Sequence, residues 1–182
     1  MMNGLHPIIR RPSTHARSGW TLVELMIAVA LAAIVMGAVL ATFIYVAKSF
    51  IIFGNYYDLD KDSRHTLDVF SRDIRSISNV TSFASSGINF VDITGNQINY
   101  NWNGSNFIRT YNGESQVMLK DCDYFNLNFY QRNVNTNFVF YTTSTKNEIK
   151  LVDVQWHCWR PVLGSKLTTE SVQTAKIVVR NF

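Results

Sequence analysis

Residues 25–47, LMIAVALAAIVMGAVLATFIYVA, form a run of 23 residues without a charged side chain. As an α-helix this run would be about 34 Å long, which is enough to cross the hydrocarbon core of a bilayer. Apolar residues occur on every side of such a helix, whereas a helix on a soluble domain would show a polar stripe. The run therefore predicts a membrane-spanning helix, which we place at residues 20–47.

The segment before this helix, residues 1–19, is a basic leader without acidic residues. Its arginines, Arg10, Arg11 and Arg17, predict a cytoplasmic N-terminus and a translocated C-terminal domain, by the positive-inside rule. The other 14 of the 17 basic residues are nearly balanced by 13 acidic ones. Because no basic surface able to neutralise many phosphates is left, we predict that this chain alone binds no nucleic acid directly.

One carboxylate, Glu24, stands directly before the uncharged run. A charge deep in a bilayer costs about 2.5 kcal/mol or more, so an acidic residue in such a place usually has a partner. A secretory signal has a shorter apolar region that ends in a small-residue cleavage site, and this run is too long for one. Glu24 therefore argues against a plain signal peptide or anchor, and the alternative is that it snorkels to the cytoplasmic interface.

The residues around Glu24, RSGWTLVEL at 17–25, resemble the N-terminal signal of type IV prepilins and of type II secretion pseudopilins. The shared features are a basic leader, Gly19 at the last leader position, the aromatic Trp20 at the first mature position and Glu24 at the fifth. The family usually has Phe at the first mature position, and Trp20 departs from this.

The resemblance implies a processing site and an assembly residue. A prepilin peptidase would cut between Gly19 and Trp20 and methylate the new amino group of Trp20. Glu24 would then pair with the amino group of a neighbouring subunit. The implied partners are this peptidase, other minor pseudopilins or pilins, and the inner membrane, and no cofactor is implied.

The helix is predicted to continue through residues 48–79, because no proline occurs between Pro12 and Pro161. Here the pattern becomes amphipathic, with a stripe of residues at steps of three and four that is predicted to pack on a sheet. The stripe consists of Tyr56, Leu59, Ser63, Leu67, Phe70, Ile74 and Ile77. Residues 64–75, RHTLDVFSRDIR, also resemble the helix of J-type minor pseudopilins and related minor pilins, as residues 175–181 resemble their last strand.

Residues 80–182 are predicted to form a periplasmic β-rich domain, because the hydrophobic period changes from 3.6 toward 2. Asn-Gly and Gly-Asn dipeptides at 95–96, 103–104 and 112–113 predict tight hairpin turns. The predicted strands are 88–93, 97–102, 107–111, 116–120, 124–131, 137–142, 148–159 and 175–180, with a loop at 163–172. The predicted fold class is thus α+β, a long N-terminal helix with a transmembrane and an amphipathic half packed on an antiparallel sheet.

Two cysteines, Cys122 and Cys158, lie in this domain, with neither a C-x-x-C spacing nor a His/Cys cluster typical of metal ligands. An oxidising periplasm would allow them to form a disulfide. Two buried free thiols are the alternative.

No group of residues predicts a catalytic or metal site. Residues 58–63, DLDKDS, begin like a calcium loop, but Ser63 replaces the glycine and Val69 replaces the glutamate that such a loop needs. His157 and Cys158 are adjacent on a predicted strand and would point to opposite faces, which disfavours a cysteine nucleophile.

The predicted function is that of a structural, noncatalytic minor pseudopilin of a type II secretion pseudopilus, anchored in the bacterial inner membrane by one span. A minor pilin of a true type IV pilus, used in adhesion, motility or DNA uptake, is the alternative. A membrane-anchored periplasmic enzyme is a less favoured third interpretation.

Overall fold

The computed structural model describes residues 19–132, 139–162 and 170–179, in which one long α-helix precedes a series of antiparallel strands. Helix α1 covers Leu22–Arg75. The chain divides into two compact units, and the boundary between Tyr45 and Val46 falls inside α1. This architecture confirms the predicted α+β class.

The strands in the described ranges form two sheets. Sheet A consists of β1 (Ile77–Ala84), β2 (Gly87–Asp92), β3 (Gln97–Trp102), β4 (Phe107–Tyr111) and β5 (Glu114–Leu119), which pair in chain order. Sheet B contains β6 (Cys122–Arg132), β7 (Phe140–Thr142), β8 (Leu151–Trp159) and β9 (Glu170–Val178), in the order β7-β6-β8-β9. A short 3-10 helix, Lys146–Glu148, lies between β7 and β8.

The predicted tight turns of sheet A are confirmed by the backbone. Gly95 and Gly104 have positive φ angles of 87° and 96°, and Asn112 and Gly113 have 48° and 92°. Two successive positive φ angles at Asn112-Gly113 are what a type I′ hairpin turn requires, and they link β4 to β5. These turns fix the register of the meander.

Aromatic rings connect the second half of α1 to sheet A, and sheet A to sheet B. Phe70 of α1 is fully buried, and its ring lies edge-on to Tyr100 of β3 at a centroid distance of 4.9 Å. Phe107 of β4 stacks against Phe125 of β6 at 4.3 Å. Edge-to-face and offset-stacked rings are favourable geometries, so one aromatic cluster forms the centre of the core.

The helix ends earlier than predicted. It stops at Arg75 instead of residue 79, and Ile77, which was placed on the helical stripe, is a buried residue of β1 paired with Asp92. The amide of Ser76 donates to the carbonyls of Arg72 and Asp73, and its hydroxyl donates to Asp73 O at 2.8 Å. This serine closes the last turn, because serine readily offers the backbone a local alternative to further helix.

Strand β1 is the element that the predicted strands omit. Its burial does not alternate, and its pairing with β2 shifts register twice, after Ile77 and after Val80. A strand with such irregularities lacks the period-2 pattern from which strands are predicted.

The remaining differences concern boundaries. Tyr56 of the predicted stripe is 58% exposed, whereas Thr66 and Asp73, which were not assigned to it, are buried. Residues 146–148 form the 3-10 helix, so the strand predicted at 148–159 begins at Leu151. Strand β9 starts at Glu170, inside the predicted loop. Residues 1–18 of the leader, 137–138, most of the loop and Arg180 lie outside the described residues.

Replacing Phe70 with alanine should lower the free energy of unfolding by about 3 to 5 kcal/mol, because it leaves a cavity in the aromatic cluster. Urea unfolding of the full chain in detergent, followed by tryptophan fluorescence, measures this. The matched control is Phe53→Ala on the same helix, where the ring is 72% exposed and the change should be below about 0.5 kcal/mol. Equal destabilisation by both variants would contradict this description of the core.

Candidate functional site

The residues that the sequence marks for processing lie just before α1. Gly19 and Trp20 precede the helix, and the Trp20 side chain is 76% exposed. A Cβ atom built on Gly19 would have no neighbouring atom within 4 Å. The fold therefore does not itself require a glycine at this position, and the segment is open to a binding enzyme.

Glu24 caps the start of α1 together with Thr21. The carboxylate oxygen Oε2 accepts from the Thr21 amide and from the Thr21 hydroxyl, each at 3.2 Å. In return the Glu24 amide donates to Thr21 Oγ1 at 3.2 Å. This reciprocal pair is a capping box, which satisfies amides that have no partner at a helix N-terminus.

The signal for this box in the sequence is Thr-x-x-Glu directly before an apolar run. An interpretation of Glu24 as an isolated charge in an apolar setting overlooks it. Within the single chain, Glu24 thus has a partner in Thr21. Both residues follow the Gly19–Trp20 bond, so cleavage there would leave the capping box in the mature chain.

The first half of α1 exposes apolar side chains on all sides. Every residue from 22 to 47 is exposed, and Glu24 is the one charged residue among them. In the described ranges α1 is the one helix long and apolar enough to span a membrane, by length and composition. The Thr42 hydroxyl donates to Ala38 O at 2.9 Å, so this polar group is satisfied within the helix, as an apolar environment requires.

A buried polar cluster holds the second half of α1 on sheet A. Asp73 is 6% exposed, and its Oδ2 accepts from the Tyr100 hydroxyl and from Arg109 Nε, both at 2.7 Å. Arg109 Nε also donates to the Tyr100 hydroxyl oxygen at 3.1 Å. Asp73 lies on α1, Tyr100 on β3 and Arg109 on β4, so the cluster ties the helix to both strands. Removing one of the two ionic partners would leave a buried charge uncompensated.

The cluster shifts the pKa values of two of its members. Burial, and next the charge of Asp73, raises the pKa of Tyr100 well above its usual range. Desolvation alone would lower the pKa of Arg109, but the hydrogen bond to Asp73 and the nearby charges outweigh it and raise that pKa. Tyr100 thus stays neutral and Arg109 charged across the physiological pH range, which suits a structural role.

The structure brings the two cysteines together. Cys122 of β6 and Cys158 of β8 are directly opposite in the ladder, with Cα atoms 3.9 Å apart, and a disulfide joins them. Both are 1% exposed. His157 Nδ1 contacts Asp123 Oδ1 on the neighbouring strand, so the histidine is engaged away from the cysteine. This arrangement leaves no thiol at position 158 to act as a nucleophile.

The acidic residues that begin like a calcium loop lie within α1 and face arginines. Arg160 approaches Asp62 at 3.3 Å and Asp58 at 3.7 Å. Asp60 accepts from Arg64 Nε at 2.8 Å. These carboxylates therefore have cationic partners on α1 and on the segment after β8.

Comparison with known protein families finds a match at the start of α1 and the residues before it. A family model for the prokaryotic N-terminal methylation motif matches residues 14–40. The match includes Gly19, Trp20 and Glu24. No curated protein and no solved structure matches the chain.

Alkylation without a reductant should leave Cys122 and Cys158 unlabelled in protein taken from the periplasmic side, and reduction in denaturant should make both reactive. The reason is the disulfide across β6 and β8, which would stabilise the domain by roughly 3 to 4 kcal/mol in the chain-entropy model. Intact-mass spectrometry counts the labels. The variant Cys122→Ser should carry one label on Cys158 after unfolding without reductant, and two labels on the unreduced, unfolded parent would contradict the prediction.

Proposed function

We propose that this chain, a type IV pilin-like protein by its N-terminal motif and its fold, is a structural minor subunit of a type II secretion pseudopilus. The methylation motif at residues 14–40 implies processing by prepilin peptidase and assembly with other pilins. The long apolar helix fits an inner-membrane anchor. The chain would have its leader in the cytoplasm and its β-rich domain in the periplasm.

The observation that carries the proposal is a single carboxylate on residues 22–47 of α1, a part of the helix that is otherwise uncharged and is exposed throughout. No lysine or arginine occurs from 20 to 47. In a filament the apolar helices would leave the lipid and pack on one another, where a carboxylate has no water and needs a cation. The nearest source of positive charge is the amino group that a cut before Trp20 creates, on this subunit or on its neighbour.

The open segment before α1 supports processing between Gly19 and Trp20. Helix α1 begins at Leu22, so the bond to be cut lies outside the helix. None of the described residues comes within 4 Å of a Cβ atom built on Gly19, and a glycine there would allow a close fit to the peptidase.

Two features favour a minor subunit. The segment 64–75, which resembles the helix of minor pseudopilins, supplies most of the helix core, including Phe70, Asp73 and Ile74. The last described strand, β9, includes residues 175–178 of the segment 175–181 that resembles their final strand. A minor pilin of a type IV pilus shares these features, and the neighbouring genes distinguish the two. Genes for a secretin and several minor pseudopilins indicate secretion, whereas a retraction ATPase and a major pilin indicate a pilus.

In cells with an active prepilin peptidase, the membrane form should begin at Trp20 with a methylated amino group. Intact-mass and N-terminal peptide mass spectrometry measure this. In cells without the peptidase the leader should remain. A mature start beyond residue 30, or retention of residues 1–19 in the presence of the peptidase, would contradict this processing.

Replacing Glu24 with valine should leave membrane insertion and cleavage intact but abolish co-purification with partner subunits, together with secretion or piliation. Two further variants in the capping box test whether that loss comes from the missing charge or from the missing helix cap. Glu24→Gln keeps a group that can cap the helix while removing the charge, and Thr21→Val removes the cap partner while keeping the carboxylate.

If charge pairing is what Glu24 supplies, Glu24→Gln should fail as completely as Glu24→Val, and Thr21→Val should assemble. Failure of Thr21→Val with normal assembly of Glu24→Gln would reduce Glu24 to a helix cap. Normal assembly of Glu24→Val would show the carboxylate to be incidental and would favour an anchored enzyme.

A further inference from the structure

The outer face of sheet A carries a row of uncharged polar side chains that crosses all five strands. Ladder pairs connect Ser82 to Asn89, Asn89 to Asn99, Asn99 to Thr110 and Thr110 to Ser115. Adjacent strands lie about 4.8 Å apart, so the row presents one amide or hydroxyl at each such step. The residues between them along the strands, such as Ile98 and Phe90, are buried on the opposite face.

Two neighbouring grooves of 390 Å³ and 220 Å³ lie along this row and share Asn89 and Asn99. Thr110 also lines the first groove, and Ser82 the second. No charged residue lines either groove. Gly87 lies in the floor of the second, where a Cβ atom would be 2.3 Å from the backbone oxygen of Tyr100. A side chain is therefore excluded at this point, and the groove stays open down to the backbone.

Within this row Thr110 Oγ1 and Ser115 Oγ share a hydrogen bond of 2.9 Å, whereas Asn99 and the neighbouring Asn101 retain hydrogen-bonding capacity. No hydrogen bond within the described part of the chain uses the side-chain amides of Asn99 and Asn101, and both residues are exposed. Asn89 Nδ2 donates to Ser82 Oγ at 2.8 Å, while Asn89 Oδ1 has no partner among the described residues. A buried acceptor without a donor is unfavourable, because it has lost its hydrogen bonds to water. A small rotation of the Asn89 amide would let a ligand hydroxyl donate to Oδ1 and remove this cost.

We propose that the outer face of sheet A binds a neutral carbohydrate along this row, which we call the amide row (Ser82, Asn89, Asn99, Thr110 and Ser115). Amides and hydroxyls both donate and accept, which matches the hydroxyl groups of a sugar. An anionic ligand would need a cation in the grooves, and no charged residue lines them. A peptide strand would pair with the backbone at a sheet edge, whereas the amide row is on a face.

The test uses the full chain in a zwitterionic detergent, because detergents with sugar headgroups would compete for the site. The probes are maltohexaose, cellohexaose and chitohexaose, with affinity measured by titration calorimetry and contacts by saturation-transfer NMR. At least one probe should bind, and Asn99→Ala should weaken that binding roughly tenfold or more by removing direct hydrogen bonds. Asn99 is exposed, so this substitution leaves the core intact.

The matched control is Asn126→Ala on β6, an asparagine of sheet B that is paired with Gln155 and lies outside the amide row. It should bind the same probe with unchanged affinity. Three results would overturn the proposal: no binding of any of the three sugars, equal affinity of Asn99→Ala and the parent, or equal loss in both variants. Preferential binding of an uncharged Ser/Thr/Asn peptide would also overturn it.

Discussion

The first half of α1 must be surrounded by something other than water, and most of the chain's N-terminal features follow from this. All residues from 22 to 47 are exposed, and nearly all are apolar. Lipid would satisfy this surface in a membrane, and the same surface on other subunits would satisfy it in a filament. By the positive-inside rule the arginines of the leader would orient the helix. Thr42 satisfies its hydroxyl within the helix, and Glu24 is the single charged residue from 22 to 47.

Glu24 has one role in the single chain, and the proposed function gives it a second role in an assembly. In the single chain it completes a capping box with Thr21, which stabilises the first turn of the helix. In an assembly its charge would find an amino group on a neighbour, because no other cation is available on this half of the helix. A residue that is already positioned by the helix start pays little further entropy when it binds such a partner.

Two kinds of contact hold the C-terminal unit together, aromatic packing and one buried ionic cluster. Phe70 brings the helix against Tyr100, and the hydroxyl of the same tyrosine donates to Asp73 one helical turn further along. Arg109 completes the cluster from the next strand. Because the ring and the hydroxyl of Tyr100 contact successive turns of α1, the rotation and the position of the helix on sheet A are both specified.

Sequence patterns predict much of this fold, and the failures have physical reasons. The helix period, the apolar run and the Asn-Gly turns depend on local chemistry, so α1 and the hairpins of sheet A could be predicted. The helix end depends on Ser76, and β1 on two register shifts, neither of which leaves a periodic signal. The division into two sheets and the burial of Thr66 and Asp73 depend on contacts with distant strands, since Thr66 donates to Met118 O and Asp73 pairs with Arg109. In the candidate site, the sequence motif marks Gly19, Trp20 and Glu24, whose roles stay predictions, and the Thr-x-x-Glu spacing also signals the cap, although a view of Glu24 as an isolated charge misses it. The most direct test of an intermolecular role for Glu24 is photo-crosslinking in cells from a benzophenone amino acid at Leu25, which leaves the carboxylate in place. The account predicts a cross-link to the N-terminal residues of another pilin-like subunit that disappears with Glu24→Gln. Cross-links to lipid alone, or an identical pattern with Glu24→Gln, would contradict it.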